Sequence, residues 1–194
     1  MTMYQQELMR KLSRYDCTGS YSEDEETLSF SYKGIKIGWM EKGGSVCGVI
    51  DENMPEESDD VFFAVRNQAK EICEYVRLYE SSPPMGIPDV KEYRRFSEYG
   101  DTVLAGMYSE QHGFMFTTWS QSADKSYVAN GDYSPNYAYV KEAFAVRAGL
   151  IDKNCVFSED EAANLYRCVD YARDNWIVNP NLDRNYLAEK EDLN

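Results

Sequence analysis

The side chains of this 194-residue sequence that could do chemistry are one histidine, five cysteines and 34 carboxylates. A Ser-His-Asp or Cys-His arrangement could be built only around His112, which stands in "EQHGF" before Gly113. Such an arrangement needs a nucleophile and an orienting acid, and no G-x-S-x-G motif supplies them. A histidine beside a turn glycine is typical of an exposed hairpin turn, so we assign no catalytic residue.

Metal and cofactor sites are not indicated by the spacing of possible ligands. The cysteines form no CxxC pair and stand far from His112 in sequence, which does not fit a zinc site. They are Cys17, Cys47, Cys73, Cys155 and Cys168. The acid-rich stretch at 51–60 lacks the ligand order of a calcium loop, and neither G-x-G-x-x-G nor G-x-x-x-x-G-K-[ST] occurs. We expect no metal and no cofactor, whereas carboxylate pairs for glycoside chemistry stay open because only their separation in space identifies them.

The net charge of −14 is spread over both halves of the chain. It repels phosphate backbones, so we expect no direct nucleic-acid binding. No apolar run approaches the roughly 18 residues that cross a bilayer, and the N-terminus lacks the apolar stretch of a signal peptide. An odd number of cysteines without pairs is typical of reduced thiols, so we expect a cytoplasmic protein without membrane contact.

Apolar periodicity in the first half predicts a helix, a meander and a second helix. Residues 4–15 have helical spacing, and Thr2 and Gln5 have the spacing of a capping box. From residue 27 the period changes to two, with turns at 33–34 and 43–44, which predicts three antiparallel strands over 28–50. A long helix with a buried stripe follows, and either Asn53 or Ser58 caps it.

The second half repeats this order. Alternation at 103–107, 114–118 and 127–129 predicts three more strands. A helix follows with Ser134 as its N-cap, Pro135 at its first position and Gly149 past its end. The last helix starts with a capping box of Ser158 and Glu161, and its apolar residues run from Ala162 to Trp176 at 3-4 spacing.

These elements predict an α+β fold of antiparallel meanders with helices packed on one face, with two similar βββα units as a further possibility. The predicted divisions are residues 1–80, a Ser/Pro/Gly-containing linker at 81–98, residues 99–178 and a tail at 179–194. A single compact domain is the alternative to this division.

A repeated tetrapeptide, Phe-Ala-Val-Arg, lies in a predicted helix of each half. It occurs in "FFAVRNQA" at 62–69 and in "AFAVRAGLI" at 143–151, 81 residues apart. Each arginine is one position from an apolar stripe, so we expect its stem to pack while its guanidinium pairs with a carboxylate. We interpret the repeat as a structural motif, with ligand binding by the second arginine as the alternative. Its residues are Phe63, Val65, Arg66, Phe144, Val146, Arg147 and Gly149.

Three blocks between residues 99 and 165 carry a resemblance to a family. They read "YGDTVLAG", "HGFMFTTW" and "NYAYVKEAFAVRAGLIDKNCVFSEDE". In this order they are similar to uncharacterised proteins and domains carried by conjugative and other mobile elements of gut bacteria. The resemblance implies a genetic setting and no activity, and it marks one set of positions as a family feature. These are Phe144, Ala145, Val146, Arg147, Gly149 and Leu150.

Three function hypotheses of different classes follow. The first is a non-enzymatic interaction module, an accessory protein of a mobile element, that binds a protein partner through an aromatic face. The 16 tyrosines support it, since tyrosine combines apolar area with a polar tip. Its candidate binding residues are Arg147, Trp119, Tyr133 and Tyr137. The alternatives are an acidic mimic of nucleic acid that inhibits a DNA-binding enzyme, and an enzyme of unidentified class.

Overall fold

The structure is a computed structural model that describes residues 1–50 and 54–178. It contains helices and antiparallel sheets, which confirms the predicted α+β class. The helices are α1 (Met3–Lys11), α2 (Ser58–Ser81), α3 (Tyr137–Arg147) and α4 (Glu159–Val178). Short 3-10 turns occupy Leu12–Tyr15, Pro88–Val90 and Lys153–Cys155.

Eight strands form two four-stranded sheets, each an antiparallel meander in chain order. The first sheet contains β1 (Cys17–Ser22), β2 (Thr27–Tyr32), β3 (Ile35–Met40) and β4 (Val46–Gly48). The second contains β5 (Arg94–Tyr99), β6 (Thr102–Ser109), β7 (Gly113–Gln121) and β8 (Val128–Ser134). The sequence predicted three strands for each sheet, and the structure adds an edge strand, β1 or β5, at the start of each.

The chain forms two compact units, Met1–Leu150 and the residues from Ile151 onward. The main core of the first unit contains buried residues from both sheets and from α1, α2 and α3. At its centre, the Tyr75 ring on α2 lies 4.8 Å from the Phe114 ring, 5.0 Å from Phe116 and 5.5 Å from Tyr137. One aromatic cluster therefore joins α2 and α3 to the second sheet.

A smaller cluster covers the opposite face of the second sheet. Val103 and Ala105 alternate with Leu104 along β6, so they point away from the main core. Met85 and Ile87, which are 3% and 4% exposed, pack there. These two residues belong to the segment predicted as a linker, which also contains most of β5. The segment thus contributes to the packing of the second sheet.

Three predicted helix ends are confirmed. The Thr2 backbone N–H donates to Gln5 Oε1 at 2.9 Å, as in a capping box. At α4, the Ser158 N–H donates to Glu161 Oε2 at 2.8 Å, and the Glu161 N–H donates to Ser158 Oγ at 3.2 Å. Gly149 follows α3 with a φ of 70°, and its N–H bonds the carbonyl of residue 146 at 3.0 Å. A left-handed glycine at this position closes the helix.

Two predicted caps are corrected. Asn136, and not Ser134, caps α3, because its side chain accepts the Tyr139 N–H at 3.2 Å while Ser134 ends β8. At α2 the capping position is Glu57, and Ser58 is already helical. The other predicted cap, Asn53, lies outside the described residues, as does the predicted tail at 179–194.

Candidate functional site

Three of the four predicted binding residues meet where β7 pairs with β8. Arg147 reaches this point from the end of α3, Trp119 from β7 and Tyr133 from β8. The fourth, Tyr137, is 1% exposed and lies in the main core. The structure therefore brings Trp119 and Tyr133 into contact, with Arg147 bonded to the backbone beside them, and places Tyr137 elsewhere.

A β-bulge between β7 and β8 explains the position of Arg147. Thr118 pairs with Asp132 and Ser120 with Ala129, so two residues of β8 stand opposite Trp119 alone. Arg147 Nη1 donates to the Thr118 carbonyl at 3.0 Å and to the Asn130 carbonyl at 2.6 Å. The expectation of a carboxylate partner is wrong for this arginine. A guanidinium has donors enough to bond both carbonyls, one on each side of the bulge.

Tyr133 stands beside Trp119 on the face of the sheet away from the main core. Trp119 Nε1 donates to the Tyr133 hydroxyl at 3.1 Å, and the two rings meet edge to face with centroids 5.9 Å apart. Trp119 is 2% exposed, whereas Tyr133 is 55% exposed. Trp119 is therefore buried and holds Tyr133, and Tyr133 is the residue of this pair that a partner can contact.

Gly131 is required for this contact. A Cβ at position 131 would lie 2.7 Å from Trp119 Nε1 and would also overlap the Tyr133 ring. A separation under 3 Å is not seen for real Cβ atoms, so a larger residue would displace one of the two aromatic rings.

Tyr139 on α3 is a second exposed tyrosine at the same edge, and the sequence did not single it out. It is 48% exposed, and its hydroxyl donates to Asp132 Oδ2 at 3.0 Å. This hydrogen bond raises the pKa of the Tyr139 hydroxyl. Tyr127, 60% exposed, precedes β8. We name this surface the tyrosine edge, defined by Tyr127, Tyr133 and Tyr139 along the edge strand β8.

Tyr137 has a structural role in the main core. Its ring contacts Phe116 at 4.9 Å between centroids, and its hydroxyl donates to Glu74 Oε1 at 3.2 Å. Burial, and then the charge of Glu74, raise the pKa of this hydroxyl. A direct contact between Tyr137 and a partner is therefore not part of the site.

The two copies of Phe-Ala-Val-Arg pack differently. Phe63 is 52% exposed and Val65 is fully buried, whereas Phe144 is 8% exposed and Val146 is only half-buried. Arg66 is exposed on α2 and forms no ion pair among the described residues, so the expected carboxylate partner is wrong for this arginine too. The tetrapeptide thus contributes different positions to the core in its two helices.

A buried polar cluster connects α1 to α2. Glu7 is 3% exposed and accepts a hydrogen bond from the Tyr75 hydroxyl at 3.0 Å, while Lys11 Nζ lies 5.1 Å from the centre of the Tyr75 ring. Burial raises the pKa of the Glu7 carboxyl and lowers that of the Lys11 ammonium. Because the Glu7 carboxyl is closed to solvent, we interpret the cluster as structural.

His112 is exposed in the turn between β6 and β7, as predicted. Arg10 of α1 holds the same turn, since its guanidinium donates to the carbonyls of Gln111 and Glu110. This turn is therefore fixed by main-chain acceptors, and its histidine faces solvent.

The cysteines of the described residues are not paired with one another. Cys17 is buried, Cys47 and Cys73 are partly buried, Cys168 is exposed, and all four are free thiols. Within residues 1–50 and 54–178, no group of three or more potential ligand side chains could hold a metal ion. No helix in those residues combines the length and apolar character that a bilayer span requires.

A groove along α2 is a feature that the sequence reading missed. It lies between α2 and the loop that leads into β4, with a volume of about 840 Å³. Arg66, Lys70 and Arg77 line it. The spacing of these three basic residues along one helix is visible in the sequence. The other wall is the loop before β4, which is distant from them in the chain.

In the second unit, α4 exposes apolar residues of its first three turns. Leu165 is 51% exposed and Val169 is 61% exposed, and both belong to the predicted apolar stripe. The stripe lies on a helix, as its spacing predicted, and its residues from Ala162 to Ala172 are exposed.

No family model, no curated protein and no solved structure matches the chain.

Proposed function

We propose that the protein is a non-enzymatic interaction module that binds a protein partner through the tyrosine edge. We further propose that it is a cytoplasmic accessory protein of a bacterial mobile element. The cytoplasmic setting is supported by the free thiols, and the mobile-element setting by the three blocks between residues 99 and 165.

The observation that carries the proposal is that two tyrosines at this edge are both exposed and held in place. The Tyr133 hydroxyl is bound by Trp119, and the Tyr139 hydroxyl is bound to Asp132, yet about half of each side chain faces solvent. Binding immobilises surface side chains at a cost of about 0.5–1.5 kcal/mol each, and a side chain that is already fixed avoids much of it. Rigid, exposed tyrosines are therefore suited to be energetic anchors of an interface.

The shape of the edge fits a partner that contacts both faces of β8. Tyr133 lies on the face that carries Trp119, whereas Asp132 points to the opposite face, where Tyr139 bonds it. The bulge at Asn130, held by Arg147, bends β8 just before Asp132 and Tyr133. A bulged edge resists simple strand addition, so side chains and not the β8 backbone would make the principal contacts.

The acidic-mimic hypothesis receives less support from the carboxylates. Such a mimic needs negative charges in a row at phosphate spacing. Glu26, Glu57, Glu74 and Glu98 each pair with a lysine of the same chain at 3.1 Å or less. These pairs reduce the charge available to a basic partner, and they favour the interaction module.

The test is a comparison of partner capture by three forms of the protein in extracts of its native host. The double variant Tyr133→Ala/Tyr139→Ala removes both fixed rings, and we expect it to lose a partner that the native protein retains. Tyr99→Ala removes a tyrosine that is 55% exposed on β5 and should leave capture unchanged. Equal capture by the native protein and the double variant would reject the tyrosine edge as the docking surface.

A further inference from the structure

Three cationic side chains form a line along one flank of α2. With about 100° of rotation per residue, Lys70 and Arg77 lie within roughly 40° of Arg66 around the helix axis. With a rise of about 1.5 Å per residue, the line is about 16 Å long. All three side chains are exposed. The buried stripe of α2, which includes Val65 and Ile72, lies on a different side of the helix.

The line of charge borders a groove with an apolar floor. Ala69 and Leu78 contribute from α2, and Val46 contributes from the start of β4. The loop that forms the far wall is attached to the helix, because Cys73 Sγ donates to the Gly44 carbonyl at 3.4 Å. The groove volume of about 840 Å³ is within the range of roughly 300–1,000 Å³ found for ligand sites.

The three charges are not neutralised by neighbouring carboxylates. Among the described residues, no ion pair involves Arg66, Lys70 or Arg77, and Lys70 donates only to the Asn67 amide oxygen at 3.3 Å. Glu74, which also lines the groove, is paired with Lys141 at 3.0 Å. A chain with 34 acids and 20 bases thus keeps three adjacent bases available on one surface.

We propose that this groove binds an acidic peptide segment of a partner protein, as a second interaction site separate from the tyrosine edge. The acidic side chains of the segment contact Arg66, Lys70 and Arg77, and its apolar side chains lie on Ala69, Leu78 and Val46. Lysine and arginine at this spacing would also attract phosphates. The net charge of −14 repels a long polyanion, however, whereas a short peptide meets mainly the local field, since charges further than about 8–10 Å are screened at physiological salt.

Fluorescence anisotropy with a labelled peptide that alternates glutamate and leucine tests the proposal. We expect saturable binding that weakens as salt is raised, because exposed ion pairs are screened. The charge-reversal variant Arg66→Glu/Arg77→Glu should bind about tenfold more weakly, since each reversal replaces an attraction by a repulsion. A peptide with glutamine in place of glutamate should bind the native protein weakly. Its affinity should be no higher than that of the glutamate peptide for the charge-reversal variant.

The matched control is Lys36→Glu/Lys91→Glu, which makes the same change in net charge at two exposed positions outside the groove. It should bind the glutamate peptide as the native protein does. Circular dichroism and thermal unfolding of both double variants establish that they are folded, which is expected because all four positions are exposed.

The proposal is overturned if the glutamate peptide does not bind at low salt, or if the two double variants lose affinity equally. It is also overturned if a labelled single-stranded oligonucleotide binds the groove more tightly than the peptide does. The Tyr133→Ala/Tyr139→Ala variant should keep full affinity for the peptide, so a failure here is distinguishable from a failure of the tyrosine edge.

Discussion

Replacing Arg147 by methionine removes the guanidinium from the bulge between β7 and β8 and keeps an unbranched stem with similar helix propensity. The Thr118 and Asn130 carbonyls then lose the donor that they share. We expect the change to destabilise the first unit and to loosen β8, because the bulge has no other described side chain that bonds both carbonyls.

The size of the effect follows from the surroundings of the two acceptors. Thr118 is fully buried, so its carbonyl loses a charge-assisted hydrogen bond worth about 1.5–3 kcal/mol. Asn130 is exposed, and water replaces the donor there at a cost of about 0.5 kcal/mol or less. We therefore expect Arg147→Met to lower the free energy of unfolding by about 2–3 kcal/mol, a large part of the 5–15 kcal/mol typical of a domain.

Urea unfolding followed by circular dichroism measures this loss, and amide exchange of residues 128–134 locates it. Arg66→Met is the matched control, since Arg66 occupies the same place in the first Phe-Ala-Val-Arg and is exposed. Its expected effect is within about 0.5 kcal/mol. Equal losses for the two methionine variants, or unchanged exchange in β8, would refute the view that Arg147 clamps the bulge.

Two further predictions concern the buried cluster and the tyrosine edge. Burial raises the pKa of Glu7, so the folded chain binds its proton more tightly than the unfolded chain, and stability falls as pH rises above the ordinary carboxyl pKa of 4.5. Urea unfolding at mildly acidic and neutral pH measures this effect. The free energy of unfolding of Glu7→Gln should decline less over this range than that of the native protein, and the exposed control Glu92→Gln should decline as the native protein does. Gly131→Ala should cost about 1–3 kcal/mol and change tryptophan fluorescence, because its methyl group meets Trp119 and Tyr133. Gly43→Ala, where an added Cβ meets nothing within 4 Å, should change neither stability nor fluorescence, and a similar loss in both alanine variants would contradict the packing role of Gly131.

The helices were predictable because their signals are local. The capping boxes at Thr2 and Ser158 and the glycine at 149 act within one or two turns, and the stripe on α2 needs only 3-4 spacing. The cap of α3 was misplaced because Ser134 and Asn136 are both good capping residues two positions apart. Only the strand geometry of β8 excludes the first.

The two strands that the sequence did not predict, β1 and β5, have weak apolar alternation. β1 reads "CTGSYS" and contains only one buried residue, Cys17, while β5 reads "RRFSEY" and contains none. An edge strand buries little, so its sequence has little reason to alternate. Likewise, the Pro and Gly residues at 83–88 are typical of a linker, but Met85 and Ile87 among them cover a sheet face whose partners lie later in the chain.

The candidate sites were only partly predictable for the same reason. Arg147, Trp119 and Tyr133 were selected by residue type, and the structure places them at one point, but residue type did not show that Trp119 is buried. The spacing of Tyr137 with Val140 and Phe144 does predict that Tyr137 packs in the core. The α2 groove combines a helix flank with a distant loop. Its charged line could have been found by helical spacing, whereas its shape depends on tertiary structure.

The most direct test of the proposed function is photo-cross-linking in the native host. A photoreactive phenylalanine analogue replaces Tyr139 or Tyr127 at the tyrosine edge, and Tyr99 as the control, since all three side chains are about half exposed or more. We expect a discrete protein adduct of the same mass from positions 139 and 127, and none from position 99. Adducts from all three positions, or from position 99 alone, would contradict binding through the tyrosine edge.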